Sequence, residues 1–180
     1  MRVIAGILRH RKIEETNLET TRETQDRVRE AIFNSLGGYL NAESALDLFC
    51  GSGAMAIEAY SRGVKKIYLN DLNPQACSCA KTNLKNLDIK SFYLSNADYK
   101  KFLELNKQSF DYIFIDPPYA MNDTLALLTD LNNSKALKNG TIITFEMDNL
   151  TKAMELPNIK IFKEKKYGKK KVVFYEVLND

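Results

Sequence analysis

Short runs of apolar residues alternate with amphipathic segments through the middle of the chain. The apolar runs occupy residues 45–49, 66–69, 91–94, 110–115 and 141–145. Helical periodicity follows the first four runs, beginning at Ala54, Pro74, Tyr99 and Thr124. Parallel strands joined by right-handed helical crossovers produce this alternation. The pattern therefore predicts a doubly wound, mostly parallel sheet with helices on its faces.

The C-terminal part of the chain departs from this alternation. Residues 160–163 and 171–177 are strand-like, and only a short basic turn around Gly168 separates them. Two strands joined so closely form an antiparallel hairpin. Added to the five preceding runs, this hairpin predicts a sheet of seven strands.

The N-terminal part also lies outside the alternation. Residues 26–36 have helical periodicity, with Asp26 or Thr24 available as the N-cap. The residues before about position 15 alternate as in a small hairpin. We expect a single domain, in which an N-terminal hairpin and helix (residues 1–40) precede the α/β core (residues 41–180).

Composition agrees with one ordered core, since 44% of the 180 residues are hydrophobic and 27% are charged. No segment has the length of a membrane span, and the first residues lack the features of a secretory signal. The three cysteines lack metal-ligand spacing, and His10 has no ligand partners near it. We therefore expect a cytoplasmic protein with reduced thiols, no metal and no membrane contact.

A glycine loop follows the first strand of the core. Asp47 lies near the end of the apolar run, and Gly51 and Gly53 lead into a helix, at the position where open α/β sheets bind ligands. Residues 51–56 also fit the pattern of a dinucleotide-binding enzyme. A carboxylate here would repel a pyrophosphate, whereas it favours the ammonium and sulfonium groups of S-adenosyl-L-methionine. We therefore favour that cofactor; the alternative is a tight turn whose glycines serve geometry only.

Two further acids follow later strands. Asp71 lies 18 residues after Gly53 (71 minus 53), close to the spacing at which an acid binds a ribose diol. Asp98 follows the third strand and could accept a hydrogen bond from an adenine amino group. Each acid alone is as well explained as a helix cap or turn residue. Their placement with Asp47 after successive strands favours one ligand that contacts all three.

The strand at residues 110–115 runs directly into Asp116, Pro117, Pro118 and Tyr119. Two consecutive prolines fix the backbone and remove two donors, so the loop is stiff. Asp116 and the Pro117 carbonyl could accept the two N–H groups of an exocyclic base amine and orient its delocalised lone pair. Tyr119 could stack on a base withdrawn from its helix. We predict that these four residues form a catalytic loop; the alternative is a rigid turn with a buried tyrosine.

Several segments resemble the RsmD family of bacterial 16S rRNA (guanine-N2)-methyltransferases. Residues 22–34 resemble the family's characteristic stretch before the sheet. Residues 46–59 and 61–63 resemble its cofactor segment, and residues 2–6 and 165–168 also fit. The similarity covers nearly the whole chain. It is therefore a resemblance to this particular family and goes beyond the features that methyltransferases share.

The resemblance implies a class I, Rossmann-like fold and a monomeric enzyme that uses S-adenosyl-L-methionine. It implies methylation of N2 of a guanine in 16S rRNA, in the small ribosomal subunit or an assembly intermediate. The implied cofactor-binding residues are Thr24, Asp47, Phe49, Gly51, Gly53, Asp71, Leu72, Ala97 and Asp98. The chain departs from the family at Glu23, Cys50 and Asn73, where proline, alanine and a second acid are usual.

Basic residues concentrate at both ends of the chain, although the net charge is only +3. Such clusters can flank a site and follow the phosphates of RNA, with an affinity that depends on salt. The predicted RNA contacts are Arg2, Arg9, Arg11, Arg22, Arg27, Lys165, Lys166 and Lys169. Arg27 and Arg29 point to different helix faces, so at most one faces RNA while the other pairs with Glu30 or a neighbour. For any single lysine, a solvated surface position explains the residue equally well.

Two other functions stay open from the sequence. An adenine-N6 methyltransferase acting on DNA or another RNA uses a similar loop, although a DNA enzyme normally needs a target-recognition segment for which 180 residues leave no room. A non-catalytic module that binds RNA during ribosome assembly could have the same fold. The loop at residues 116–119 favours catalysis on an exocyclic amine, and the stretch at 22–34 favours guanine in rRNA.

Overall fold

The computed structural model describes residues 1–16, 26–118, 121 and 123–178. In chain order, the elements are α1 (Asp26–Ser35), β1 (Ala42–Asp47), α2 (Ala54–Ser61), β2 (Val64–Asp71), α3 (Pro74–Asn86), β3 (Phe92–Asn96), α4 (Tyr99–Leu105), β4 (Tyr112–Ile115), α5 (Thr124–Asn132), β5 (Ile142–Asp148), β6 (Ile159–Tyr167) and β7 (Lys170–Val177). The helices begin where the hydrophobic pattern predicts. Thr24, Arg22 and Tyr119 lie outside the described residues, so the predictions that concern them stay predictions.

The seven strands form one sheet in the order β3-β2-β1-β4-β5-β7-β6. The strands from β3 to β5 pair in parallel. Strand β7 is antiparallel to both of its neighbours, β5 and β6. The fold class predicted from the sequence, including the antiparallel C-terminal hairpin, is confirmed. The order reverses between β1 and β4, and open α/β sheets bind ligands at such a switch point, outside the carboxyl ends of the strands.

Alternate side chains of the central strands supply two hydrophobic layers. Ala45 and Phe114 face a layer that also contains residues of α1, α2 and α3. Leu46 and Ile113 face a second layer with residues of α4 and α5. Neighbouring residues of a strand point to opposite faces, so a strand that is buried on both faces is apolar throughout. The two layers hold β1 and β4 from both sides and thereby fix the loops at their carboxyl ends.

The N-terminal hairpin packs at the amino end of the sheet. Arg2 and Lys12 pair as an isolated antiparallel bridge, which confirms the predicted hairpin in a minimal form. Its turn reaches the last residue of α2, where the Ile7 N–H donates to the Ser61 carbonyl (2.8 Å). Gly6 has a φ of +86°, and a side chain there would lie 1.8 Å from that carbonyl oxygen. The close approach of the two segments therefore requires glycine at this position.

A buried carboxylate ties the hairpin to the sheet. Glu58 of α2 is fully buried. It accepts hydrogen bonds from the backbone N–H groups of Ile4 (2.8 Å) and Ala5 (3.1 Å). Arg62 Nε donates to the same carboxylate (2.6 Å), and Arg29 Nε lies 3.8 Å from it. One buried acid therefore contacts two buried arginines and holds the start of the chain.

Candidate active site

A cavity of about 450 Å³ opens at the carboxyl end of the sheet. The loops after β1, β2, β3 and β4 form its walls, so four segments singled out in the sequence meet in one place. The volume is typical of sites that hold a small organic ligand. The predicted site residues that line it are Phe49, Asp71, Leu72, Ala97, Asp98, Asp116, Pro117 and Pro118.

The glycine loop turns sharply between β1 and α2. The Gly51 N–H donates to Asp71 Oδ2 (2.9 Å), which links the ends of β1 and β2. Gly53 has a φ of +81°, and a side chain there would lie 3.0 Å from Leu69 Cδ2 and 3.4 Å from Ala80 Cβ. A side chain at position 53 would thus point toward the sheet and α3. Close packing there explains why this position is glycine. A contact between its backbone and the cofactor stays a prediction.

Asp47 lies beneath the glycine loop and is only 4% exposed. Its Oδ2 accepts a hydrogen bond from the Ala56 N–H in the first turn of α2 (3.3 Å). A small cavity of about 30 Å³ adjoins it and is also lined by Gly51, Asp116 and Glu146. A helix N-terminus stabilises a carboxylate in its charged form. The charge of Asp47 therefore suits a cationic group, such as the ammonium of an amino acid.

Asp71 ends β2 and uses both carboxylate oxygens to hold loop backbone. Oδ2 accepts from the Gly51 N–H, and Oδ1 accepts from the Asn73 N–H (2.8 Å). The N-cap of α3 is Asn73, whose side chain accepts from the Gln75 N–H. The alternative interpretation of Asp71 as the cap of α3 is therefore wrong, whereas its interpretation as a turn residue is confirmed. Each carboxylate oxygen can accept a second hydrogen bond, which leaves Asp71 able to bind two ribose hydroxyls.

Asp98 is the N-cap of α4, and its side chain accepts from the Lys100 N–H (2.9 Å). The cap interpretation is thus confirmed, and the same residue also lines the large cavity. Asn70 lines this cavity as well, although the sequence analysis missed it. Its Nδ2 donates to the Ala97 carbonyl (3.0 Å), whereas its Oδ1 is buried without a partner among the described residues. An unsatisfied buried acceptor is costly, so Asn70 is a second candidate acceptor for a ligand amino group.

Asp116, Pro117 and Pro118 form the wall between the large cavity and a third cavity of about 30 Å³. The Pro118 carbonyl accepts from the Met121 N–H (2.8 Å), which turns the chain back toward α5. Lys170 Nζ lies 3.5 Å from Asp116 Oδ1, and the Asp116 side chain is 18% exposed. The carboxylate is therefore held beside a cation at the boundary between the cavities.

Two charged residues of the site escaped the sequence analysis. Lys170 begins β7 and forms an ion pair with Glu146 of β5, and both line the third cavity with Asp116. A signal for Glu146 exists, since a carboxylate inside the apolar strand Ile142–Asp148 is seldom buried without a specific partner. Lys170 lies in a run of three lysines, and no local pattern distinguishes it from the other two.

Arg9 and Arg11 lie on the N-terminal hairpin, away from the cavity. Arg11 Nη2 donates to the Asn86 carbonyl at the last residue of α3 (3.1 Å), and the Arg9 N–H donates to the Gly6 carbonyl within the turn. Helix α3 begins at the carboxyl end of the sheet and therefore ends at the opposite side. The prediction that the terminal basic residues flank the mouth of the site is thus wrong for these two arginines, because contacts with α2 and α3 fix their hairpin elsewhere.

The basic residues of the C-terminal hairpin lie close to the site. The turn between β6 and β7 leads directly into Lys170, which contacts Asp116. Burial raises the pKa of Tyr167, and the nearby positive charge of Arg27 acts against that rise. Arg27 of α1 and the hairpin turn are therefore neighbours. Three of the predicted RNA contacts belong to this hairpin: Lys165, Lys166 and Lys169.

Arg27 and Arg29 lie on different faces of α1, as the sequence predicted. Arg27 is exposed, whereas Arg29 is buried and bound to acidic side chains. The acidic partners of Arg29 are Asp26 (3.0 Å) and Glu58. His10 is exposed and lies in a turn with a φ of 69°. Among the described side chains, no group of three or more His, Cys, Asp or Glu could hold a metal ion.

Two cysteines lie beside the site in protonated form. Burial raises the pKa of Cys50 well above its usual value, and the charges of Asp47 and Asp71 raise it further. Burial and the charge of Asp71 also raise the pKa of Cys77. Cys77 contacts the carbonyl of Asp71, whereas Cys79 contacts the carbonyl of Glu14. Since the thiolate is the reactive species, Cys50 and Cys77 are poor nucleophiles at neutral pH.

The sheet order, the glycine loop and the Asp116-Pro117-Pro118 segment at the switch point define a Rossmann-like methyltransferase. The solved structure of yhhF of Escherichia coli, named as a candidate methyltransferase, has the same fold, with a TM-score of 0.88 and 26% identity. That similarity covers 100% of this chain and 99% of the other. None of the helices in the described ranges is long and apolar enough to cross a bilayer.

The family described as Conserved hypothetical protein 95 matches residues 1–176. Ribosomal RNA small subunit methyltransferase D of Haemophilus influenzae is 34% identical over 173 residues, covering 93% of this chain and 89% of that protein. A shorter match is the tRNA (guanine(10)-N2)-dimethyltransferase of Pyrococcus abyssi, 34% identical over 95 residues, covering 52% of this chain and 29% of that protein. The chain belongs to the RsmD family, as the sequence resemblance indicated.

Proposed function

We propose that this protein uses S-adenosyl-L-methionine to methylate N2 of a guanine in 16S rRNA, in the small ribosomal subunit or an assembly intermediate. The observation that carries the proposal is the position of Asp116, which lines the large cavity and both small cavities beside it. One relative is named as a small-subunit rRNA methyltransferase, and another is named for chemistry at guanine N2. The geometry of the site thus supports the proposed role of Asp116 in methyl transfer, and the names of the relatives support guanine in rRNA as the substrate.

The large cavity and its small neighbour offer partners for each part of S-adenosyl-L-methionine. Asp71 would bind the ribose hydroxyls, Asp98 and Asn70 the adenine amino group, and Asp47 the ammonium. Phe49 lines both cavities and would pack against the apolar parts of the ligand. When bound, this cofactor supplies a methyl group activated by the sulfonium charge. The chemistry of these side chains therefore matches the groups that the cofactor presents.

The loop after β4 would orient the amine that accepts the methyl group. The Asp116 carboxylate and the Pro117 carbonyl would accept its N–H groups and direct the nitrogen lone pair into the large cavity. The small cavities beside Asp116 have room for roughly one or two water molecules each, so the N–H groups of the amine would replace water there. Orientation by a stiff loop and exclusion of water are the contributions that the protein makes to catalysis.

The C-terminal hairpin would hold the RNA beside this loop. Lys166 and Lys169 are exposed on it, and Arg27 is exposed nearby on α1. Their ammonium and guanidinium groups suit phosphates, whereas Lys170 in the same hairpin reaches the catalytic loop. Binding of the RNA backbone and placement of the base are therefore assigned to one element.

Nucleoside mass spectrometry of 16S rRNA from cells with and without the gene tests the proposal. We expect one N2-methylguanosine to disappear on deletion and to return with the wild-type gene. Purified protein should transfer tritium from labelled cofactor to small subunits from the deletion strain, but not to subunits that are already modified. Transfer to adenine in duplex DNA would support the adenine-N6 alternative instead. Failure to bind millimolar cofactor in calorimetry would support a non-catalytic RNA-binding module.

Asp71→Asn is expected to weaken the binding of S-adenosyl-L-methionine by about tenfold, because hydrogen bonds to a charged acceptor are stronger than those to a neutral one. Isothermal titration calorimetry measures the change in Kd. Asp88→Asn is the matched control, since Asp88 is exposed just beyond the other end of α3 and forms an ion pair with the exposed Lys90. Equal Kd values for Asp71→Asn and the wild type would rule out the ribose assignment.

A further inference from the structure

Three charged side chains meet beside the large cavity. Lys170 Nζ lies 3.5 Å from Asp116 Oδ1 and forms an ion pair with Glu146 Oε1. Asp116 directly follows β4, Glu146 lies on β5, and Lys170 begins β7, so three adjacent strands position the group. Glu146 and Lys170 line the third cavity, whose other wall is the Asp116-Pro117-Pro118 segment. The cluster thus lies directly across the catalytic loop from the cofactor cavity.

The burial of this cluster is not explained by stability. The Glu146 side chain is 4% exposed and the Lys170 side chain 23% exposed. A well-packed apolar pair often stabilises a fold as well as a buried ion pair does, because the charges must be desolvated. A few precisely placed polar groups in a cavity are also what gives a binding site its specificity.

The cluster offers the hydrogen-bonding groups that guanine requires. The Watson–Crick edge of guanine presents the N2 amine and N1–H as donors and O6 as an acceptor. Asp116 and Glu146 supply two carboxylate acceptors, and Lys170 supplies a cationic donor. The ammonium has three N–H groups, so Lys170 can donate to O6 while it keeps its ion pair with Glu146.

The same groups disfavour other bases that carry an exocyclic amine. In adenine and cytosine, the ring nitrogen next to the amine is an acceptor, which would face the carboxylate of Glu146. Adenine also has no carbonyl oxygen that Lys170 could bind. A buried polar group left without a partner strongly disfavours the wrong substrate.

We propose that Glu146 and Lys170 select guanine as the base to be methylated, with Glu146 accepting from N1–H and Lys170 donating to O6. This inference rests on the proposed methylation of guanine N2. In this proposal, Asp116 orients the reacting amine, whereas Glu146 and Lys170 distinguish guanine from other bases.

The first test replaces the target guanosine by 2-aminopurine in reconstituted small subunits. 2-Aminopurine keeps the N2 amine but has neither N1–H nor O6. The wild type should methylate guanosine roughly tenfold faster or more, the discrimination expected for a pair of good base contacts. Lys170→Met should lose most of this preference, so that its rates on guanosine and 2-aminopurine become similar. A merely structural effect would slow both bases equally.

Lys171→Met is the matched control. It is the same substitution one residue later, and Lys171 pairs with Glu164 rather than with the cluster. This variant should keep the wild-type preference for guanosine. Lys170→Arg, which retains a cationic donor, should recover part of that preference. Loss of the preference in Lys171→Met, or no recovery in Lys170→Arg, would count against selection by Lys170.

A second test needs neither turnover nor a folded variant. Wild-type protein is mixed with S-adenosylhomocysteine and with small subunits that carry 6-thioguanosine at the target position, and is then irradiated in the near ultraviolet. The sulfur stands in for O6, so the crosslinked peptide should contain Lys170. Crosslinks confined to other peptides would overturn the proposal.

The outcomes separate this inference from the proposed function. A wild type that transfers no methyl group to guanosine N2 would overturn both. A wild type that methylates guanosine, combined with a Lys170→Met variant that is slowed equally on both bases, would overturn base selection alone.

Discussion

Asp116→Ala is expected to lower the rate of methyl transfer by on the order of 10²–10³-fold, the loss typical of removing one group that acts on the reacting centre. The carboxylate lies at the boundary between the large cavity and the two small ones, where the amine would be held. The Kd for S-adenosyl-L-methionine should change only a few fold, because Asp47, Asp71 and Asp98 are left intact. Initial rates on unmodified small subunits and calorimetry measure the two effects.

Glu104→Ala is a suitable control for this substitution. Glu104 is exposed on α4 and, among the described residues, forms an ion pair with Lys101 one turn away, so its loss should leave both the rate and the Kd unchanged. A rate for Asp116→Ala within a few fold of the wild type would show that the amine is held elsewhere. Loss of cofactor binding would show that the carboxylate maintains the shape of the cavity instead.

Glu58→Gln is expected to cause a large loss of stability. The neutral side chain would leave the buried Arg29 and Arg62 without their shared carboxylate and would weaken the hydrogen bonds from Ile4 and Ala5. Breaking a buried ion pair on one side costs about 3–5 kcal/mol. For a chain of this size, that cost lowers Tm by roughly 6–20 °C, as measured by circular dichroism.

Glu43→Gln provides the comparison for Glu58→Gln. Glu43 pairs with Lys65, but both side chains are largely exposed, so the change in Tm should be within about 3 °C. Similar Tm values for the two variants would mean that the buried cluster contributes no more than a surface ion pair. The N-terminal hairpin would then be held mainly by Gly6, Ile7 and Ser61.

The helices and strands of the core could be predicted because residues within or next to each element determine it. Strand β4 is apolar throughout and β1 has an apolar core at Ala45 and Leu46, while Asn73 and Asp98 begin helices with side-chain caps. The position of β7 between β5 and β6 is not determined by neighbouring residues in the sequence. It depends on pairing between segments far apart in the chain, and hydrophobic alternation alone does not identify the partner.

The same distinction applies to the site. Asp71, Asp98 and Asp116 were predicted because each directly follows a strand or ends one, and parallel strands bring their carboxyl ends together. Lys170 was missed because its role depends on the register of β7 against β5, where it lies opposite Asp148. Arg9 and Arg11 were assigned from charge alone, which does not indicate to which end of the sheet a hairpin is attached.

The antiparallel C-terminal hairpin has a consequence for how target choice could diverge among related enzymes. Lys170 and Lys171 are adjacent but serve opposite faces of β7, with Asp116 and Glu146 on one side and Glu164 on the other. Shifting a strand by one residue exchanges its faces. A single insertion or deletion in the turn at Gly168 would therefore change which side chain faces Asp116 and Glu146. The loops after β1, β2 and β3, which line the large cavity, would keep their positions.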